Sequence, residues 1–319
     1  MIDYFYGANE SYIDITDQVN EYCTYGDQVF IPNNDHIRAY VFSDPADGLA
    51  KNIVVFRQQG AAKSCSSYDN TTNISIHLRK DEVRHTPPAK TITPPPATLP
   101  TEEKISYIHS QLVFVGGSLT DEWNEQRMAI NYLDPDAKVL EIGSNIGRNT
   151  LIISTLLEDD RNLVTLECSP NSVDALQKNR FINKRHFHIE PSALSYRKLI
   201  QRDWDTIPSA QLLPGYNWVN TLTYEQLTTK YPIEFDTLVL DCEGAIYYIL
   251  QDNPNILNNI KTILIESDFH SAAQKQWVDD LFIQNGLERV YSEPLIGHEN
   301  HPFPPECRKS FYEAWKKTR

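Results

Sequence analysis

The 319-residue chain lacks a long apolar run, a C-x-x-C pair and a basic stripe. Without an apolar run of bilayer length, no membrane-crossing segment and no membrane partner are expected. Met1-Ile-Asp-Tyr-Phe-Tyr-Gly7 also lacks the basic region and apolar stretch of a secretory signal. Cys23, Cys65, Cys168, Cys242 and Cys307 are odd in number and scattered. That spacing suits neither a disulfide framework nor a zinc knuckle, and it fits a reducing, cytoplasmic setting. A formal charge of -14 argues against a nucleic-acid partner, because phosphate contacts need clustered Lys and Arg.

The chain is long enough for two domains, and its 40% apolar content can supply their cores. Residues 1 to 86 read as a β-rich module, with runs at Tyr12–Thr16, Gln28–Ile31, Ile37–Phe42, Asn52–Phe56 and Asn73–Leu78 divided by turn residues. Its Tyr and Phe residues at strand spacing are expected in the core, although a glycan groove is the alternative. Scaffolding or self-association is the first role expected of this module, and substrate recognition the second. Pro87-Pro88, Pro94-Pro-Pro96 and Pro100 mark a stiff linker over 87–104.

The second domain, 105–319, is organised around Lys138-Val-Leu-Glu-Ile-Gly-Ser-Asn-Ile-Gly-Arg-Asn-Thr150, an apolar strand leading through a glycine-punctuated turn into an apolar helix. The G-x-G-x-x-G fingerprint of a dinucleotide site is missing: Ser144 and Asn145 stand where its second glycine would be. Glu141 precedes Gly143 and Gly147, and Glu167 closes the next strand, Leu163–Glu167. Acids there would repel a pyrophosphate. They suit S-adenosyl-L-methionine, with Glu141 toward its cationic end and Glu167 toward its ribose hydroxyls. An α/β turn without a cofactor is the alternative.

Glu141-Ile-Gly-Ser-Asn-Ile-Gly147 with Thr150, Glu167-Cys-Ser-Pro170, Ser192-Ala-Leu-Ser195 and Leu240-Asp-Cys-Glu-Gly-Ala245 together resemble the FkbM family of S-adenosylmethionine-dependent methyltransferases. The resemblance covers about residues 105–319. It departs at Glu141, where the family usually has Asp, and at Cys242, where it has Val. It implies a Rossmann-like class I methyltransferase sheet, mostly parallel with an antiparallel closing hairpin. It also implies cofactor contacts from Glu141, Gly143, Ser144, Asn145, Gly147, Thr150, Glu167, Cys168, Ser192, Ala193 and Asp241. Many members act on saccharides, so a sugar or glycan acceptor is the implied partner.

The chemistry is expected after two further strands. Phe235–Leu240 ends in Asp241-Cys-Glu243-Gly244, and Thr262–Glu266 delivers Glu266-Ser-Asp268-Phe-His270 to the same sheet edge. Alternation would let Asp241 and Glu243 face one way. His270 or Glu243 suits a general base, and Asp241, Glu266 and Asp268 are candidate ligands for an assisting Mg or Mn ion. A solvated acidic rim is the alternative. Asp121 is read as the cap of a helix to about Leu133 with Trp123, Ile130 and Leu133 on one face. Residues 197–231 read as a long polar loop, and His298-Glu-Asn-His301 as a solvated pair.

The resulting expectation is an O-methyltransferase acting on a sugar or glycan hydroxyl. The competing expectations are a catalytically silent methyltransferase fold used for assembly or glycan binding, and a methyltransferase for a protein or small molecule.

Overall fold

The computed structural model describes the chain apart from residues 1, 26–27, 32, 34, 47, 60–61, 80–91, 204, 297–302 and 319. The expected linker residues Pro87 and Pro88, Trp204, His298 and His301 lie outside the described residues. The chain divides into two compact units, Met1–Thr91 and Ile92–Arg319. No helix among the described residues is long and apolar enough to cross a membrane.

In the first unit Ile2–Ala8 is paired on one side with Ser11–Asp14 and on the other with Asn52–Gln59, which pairs with Ala62–Tyr68, all antiparallel. A second antiparallel sheet joins Thr24–Tyr25, Gln28–Ile31 and Ile74–His77. Tyr4, Tyr6 and Phe42 are core residues, as their strand-like spacing suggested for the aromatics generally. Asp35–Phe42 corrects the reading of residues 37–42: it is a helix, not a strand. Arg38 and Phe42, four apart, are both buried, and the Arg38 guanidinium donates to the carbonyls of Asp69 and Thr72 at 2.9 and 2.7 Å. Residues four apart share a face in a strand as well as in a helix, so this pair could not separate the two readings from sequence.

The second unit begins inside the expected linker. Thr93 is tied to Gln111 of the segment after helix α1 (Thr101–His109), its N–H donating to Oε1 at 3.0 Å. Helix α2 (Trp123–Tyr132) follows, and then a seven-stranded sheet: β1 (Val139–Ile142), β2 (Leu163–Leu166), β3 (His188–Glu190), β4 (Thr237–Leu240), β5 (Thr262–Glu266), β6 (Leu287–Glu293) and β7 (Tyr312–Lys317). Its order is β3-β2-β1-β4-β5-β7-β6, with β7 antiparallel to both neighbours and the other strands sharing one direction. This is the Rossmann-like class I methyltransferase sheet, mostly parallel and closed by an antiparallel pair.

Crossover helices α3 (Arg148–Leu156), α4 (Pro170–Ile182), α5 (Tyr224–Lys230), α6 (Ala245–Asp252) and α7 (Ala272–Gln284) connect the strands. The starts of α4 and α7 follow from local chemistry. Ser169 accepts from the Ser172 N–H ahead of Pro170, and Ser271 accepts from the Gln274 N–H. The strands alternate between two packed layers. Leu140, Ile142, Leu238, Leu240, Ile263 and Ile265 face one, whereas Val139, Val239 and Leu264 face the other with Met128, Ala129 and Leu151. Residues 197–231 are not a bare loop: Leu199–Arg202, Asp205–Pro208 and Asn217–Val219 form a small antiparallel sheet, followed by α5.

Candidate active site

The site begins at the turn after β1, where chain geometry admits only glycine. Gly143 has φ +89°, and a Cβ there would lie 1.6 Å from the Asp241 carbonyl oxygen. The turns after β1 and β4 therefore touch through backbone, and the Asp241 N–H donates to the Ile142 carbonyl at 3.1 Å. Gly143 and Ser144 both donate to the Leu166 carbonyl, at 3.0 and 3.2 Å. The buried Ser144 hydroxyl turns toward the same oxygen, so this side chain braces the turn against β2. Asn145, in the left-handed region with φ 49°, donates its N–H to Glu167 at 2.9 Å, and Ser169 donates to the other Glu167 oxygen at 2.7 Å. Glu167 keeps partial solvent access at the tip of β2. Burial raises its pKa against the pull of those N–H donors.

Glu141 does not open outward. It shares its face of β1 with Val139 and is 2% exposed beneath α3. The hydroxyls of Thr150 and Thr165 donate to its Oε2 at 2.7 and 2.6 Å. Burial lifts its pKa to about 7 despite those two donors, and the Glu122 and Glu167 charges add to the rise. Glu141 and Thr150 thus hold the turn and the start of α3 from below. Gly147, φ +92°, caps that helix.

Helix α2 corrects its sequence reading in its cap: the turn before it is capped by Ser118 rather than Asp121. Its buried residues are Glu125, Gln126, Met128 and Ala129, and Ile130 and Leu133 are partly buried against the same core. The helix packs on β5 and β7 and turns acids toward the carboxyl ends of the strands. Glu122, which the sequence reading missed, caps α3: it accepts from the Asn149 N–H at 3.2 Å and from Arg148 at 3.1 Å. Burial first, and Glu125 next, push the Glu122 pKa up to about 7 against Arg148. Glu122 and Glu125 are three apart and so share a helix face. Only the partner surface shows that this polar face is the inner one.

After β4 and β5 the expected acids gather, though in a different arrangement. Asp241 and Glu266 follow register partners Leu240 and Ile265 and lie on the layer that holds α2. The Asp241 pKa is driven well up by burial, then by Asp268, Glu122, Glu125 and Glu243. Glu266 is raised in the same way by burial and Asp241, with a side-chain hydrogen bond to Glu125. Alternation fails at Glu243: with φ 52° there and 76° at Gly244 the strand has ended, and Glu243 is exposed. His270 is also exposed, and its ring passes Gly244, where a Cβ would lie 3.7 Å from Cδ2.

Asp268 is 2% exposed; no donor meets its carboxylate at full hydrogen-bond geometry, but the backbone N–H groups of Gly244, Glu243 and Asp268 itself act on it. Burial and Glu243 raise its pKa to about 7. Among the described residues no three His, Cys, Asp or Glu side chains come together as a metal-ligand group. Asp241, Glu266 and Asp268 therefore do not fit the expected Mg or Mn set, because Glu266 is drawn to Glu125 while Asp268 sits behind Gly244.

On the far side, Ser192 is buried and donates to Glu190 at 2.8 Å, and Glu190 also takes Lys230 at 2.7 Å. Ala193 pairs with Thr221 and stays half-buried beside the end of β3. Burial holds the Cys168 thiol up at about 11, so it stays a thiol rather than a thiolate near neutral pH.

No family model matches the chain, and no curated protein matches it. Among solved structures it is similar to a ribosomal protein L11 methylase from Lactobacillus delbrueckii subsp. bulgaricus, with TM-score 0.38, 10% identity, and coverage of 64% of this chain and 82% of that one. A putative O-methyltransferase from Klebsiella pneumoniae has TM-score 0.36 and 12% identity, covering 69% and 90%. An O-methyltransferase from Bacillus cereus, in complex with SAH, has TM-score 0.34 and 14% identity, covering 69% and 94%.

Proposed function

We propose that this chain is an S-adenosylmethionine-dependent O-methyltransferase of the FkbM kind that acts on a hydroxyl of a sugar or glycan. One observation carries the reading: the turn Gly143–Gly147, Glu167 and Asp241 occupy one stretch of the sheet's carboxyl edge, with Gly143 pressed against the Asp241 backbone. In an open α/β sheet that edge is where ligands bind. The side chains fit the cofactor. Glu167 is placed for ribose hydroxyls, Asn145 and Gly147 shape the turn, Ser192, Ala193 and Cys168 flank the adenine side, and Asp241 stands toward the reacting end. When bound, the cofactor supplies an electrophilic methyl group on a cationic sulfur.

The chain's own task is then to hold an acceptor oxygen in line and take its proton. His270 and Glu243 stand at the exposed mouth beside Gly244, where a base can reach an incoming hydroxyl. A cytoplasmic location and self-association through residues 1–86 complete the proposal. Isothermal titration with S-adenosylhomocysteine tests its first half, and absence of binding would end it. Mass spectrometry of saccharides incubated with the cofactor tests the second. His270→Ala is expected to slow methyl transfer by about 10²- to 10⁴-fold while leaving cofactor affinity unchanged if it is the base.

A further inference from the structure

The first unit treats the edges of its two sheets unequally. Ser11–Asp14 is four residues long, bears Asp14 and is tied by the Ser11 hydroxyl to the Pro45 carbonyl at 2.8 Å. In the second sheet Thr24–Tyr25 is two residues long, and the Arg57 guanidinium donates to the His77 carbonyl of Ile74–His77 at 3.1 Å. Short, charged or covered edge strands stop a sheet from adding a further strand. Ala62–Tyr68 has none of these devices. It runs seven residues as Ala-Lys-Ser-Cys-Ser-Ser-Tyr, with one charge, no proline and an unbroken register against Asn52–Gln59. It ends its sheet, and among the described residues no strand pairs with its outer edge. Lys63, Ser64, Cys65, Ser66 and Ser67 are all exposed, so the strand stands clear of the core on both faces. Alternate residues turn N–H and C=O groups outward, a series that another extended strand can take in full.

We infer that a second copy of this chain takes them: Ala62–Tyr68 pairs with itself, antiparallel, about a two-fold axis at Cys65. A strand that meets its own copy across a two-fold axis runs antiparallel to it, and the position of the axis fixes the register. Only with Cys65 opposite Cys65 does the whole of Ala62–Tyr68 find a partner. That register also matches charge. Lys63 stands opposite Ser67 and diagonal to Asp69 of the second copy, so the strand's one cation meets an anion, twice by symmetry. Asp69 is exposed, and donors from Thr71 and Thr72 hold its carboxylate in place. Cys65 shares its face with its register partner Phe56, which is 45% exposed and packs edge-on to Phe5 at 5.5 Å. Pairing about Cys65 therefore aligns the aromatic pairs of both copies along one continuous sheet. Because the cation, the anion and both halves of the register come from one sequence, the fitting partner is the chain itself rather than a foreign strand. This gives a surface to the self-association proposed for residues 1–86, and it stands whatever the outcome for the methyltransferase reading.

Sedimentation of the full-length chain under reducing conditions is expected to give a species of twice its 36.7 kDa mass. Cys65→Lys sets like charges face to face at the axis and should weaken dimerisation about tenfold or more. Lys63→Glu, at another exposed position, turns the diagonal attraction into repulsion and should weaken it too. Cys65→Ser should dimerise as the wild type does. Oxidation with diamide, which takes the hydrogens of two thiols, should link wild-type chains through Cys65, identified by peptide mapping. Directly opposed residues lie about 4.5–5.5 Å apart at Cα, within the roughly 4.4–6.8 Å that a disulfide spans. A monomeric wild type overturns the inference together with self-association. A dimer that keeps its affinity in both charge variants, or that yields no link between Cys65 residues, overturns the inference alone and moves the interface to another surface.

Discussion

Two halves of one sheet edge both hold acids and treat them in opposite ways. Around β1 and β2 the carboxylates are structural members: Glu141 receives two threonine hydroxyls and Glu167 two backbone N–H groups. Around β4 and β5 they crowd without counter-charge, and each raises the pKa of its neighbours. A buried carboxylate that has donors fixes the geometry around it. One that lacks them raises its pKa, takes a proton or waits for a cation. The first half reads as a frame for a ligand and the second as a receptor for charge.

The hardest way to break this picture is through the backbone contact that joins the halves. Gly143→Val puts a Cβ where the Asp241 carbonyl stands, at a φ that side chains avoid. Neither obstacle can be relieved by rotating a side chain. Unfolding measurements are expected to show a loss of more than ~3 kcal/mol, with S-adenosylhomocysteine binding abolished. Retention of both would mean that the two turns are not held against each other.

Glu141 tests the frame itself. Glu141→Ala strands the Thr150 and Thr165 hydroxyls in a dry interior and should cost about 2 to 3 kcal/mol, read by denaturant unfolding. Glu141→Gln keeps an acceptor for them and removes only the charge. The group's folded pKa is raised from 4.5 to about 7. The folded state therefore holds this proton more tightly than the unfolded chain. That contribution is fully present below pH 4.5 and is lost as the pH climbs to about 7. The wild type should accordingly lose stability across that window, and Glu141→Gln should lose measurably less.

Asp268 predicts the reverse sign, which is what separates the halves. Asp268→Asn removes a charge that burial and Glu243 disfavour while keeping an oxygen for the nearby backbone N–H groups, so the free protein should gain on the order of 1 kcal/mol at pH 8. A destabilised variant would show that the carboxylate is already satisfied and that the contrast is misdrawn.

Much of the frame was legible in the chain because it is written in local terms. Val139–Ile142, Leu163–Leu166 and Thr262–Glu266 are apolar runs with an acid at or next to their ends, and Ser169-Pro170 announces α4 by capping chemistry. The receptor half was legible only as a list of acids. Which way Glu243 points depends on positive φ at two successive residues, and the inward turn of Glu125 depends on α2 resting on β5 and β7. Glu122 was overlooked because nothing local distinguishes a buried helix cap from a surface glutamate. The strand expected at 37–42 failed for the same reason, since the carbonyls that accept from Arg38 come from Asp69 and Thr72.

The smallest expected effect draws the boundary of the receptor half. Trp218 is 47% exposed on the small sheet inserted between β3 and β4, with the Lys198 ammonium 6.0 Å from its ring. That sheet is reached through Ala193–Leu194, which pairs with Thr221–Leu222 next to the end of β3, on the cofactor side of the edge. Trp218→Ala removes an aromatic face that little packs against, so stability should change by less than ~0.5 kcal/mol. A larger loss, read by denaturant unfolding, would show that the insert packs on the Trp218 ring.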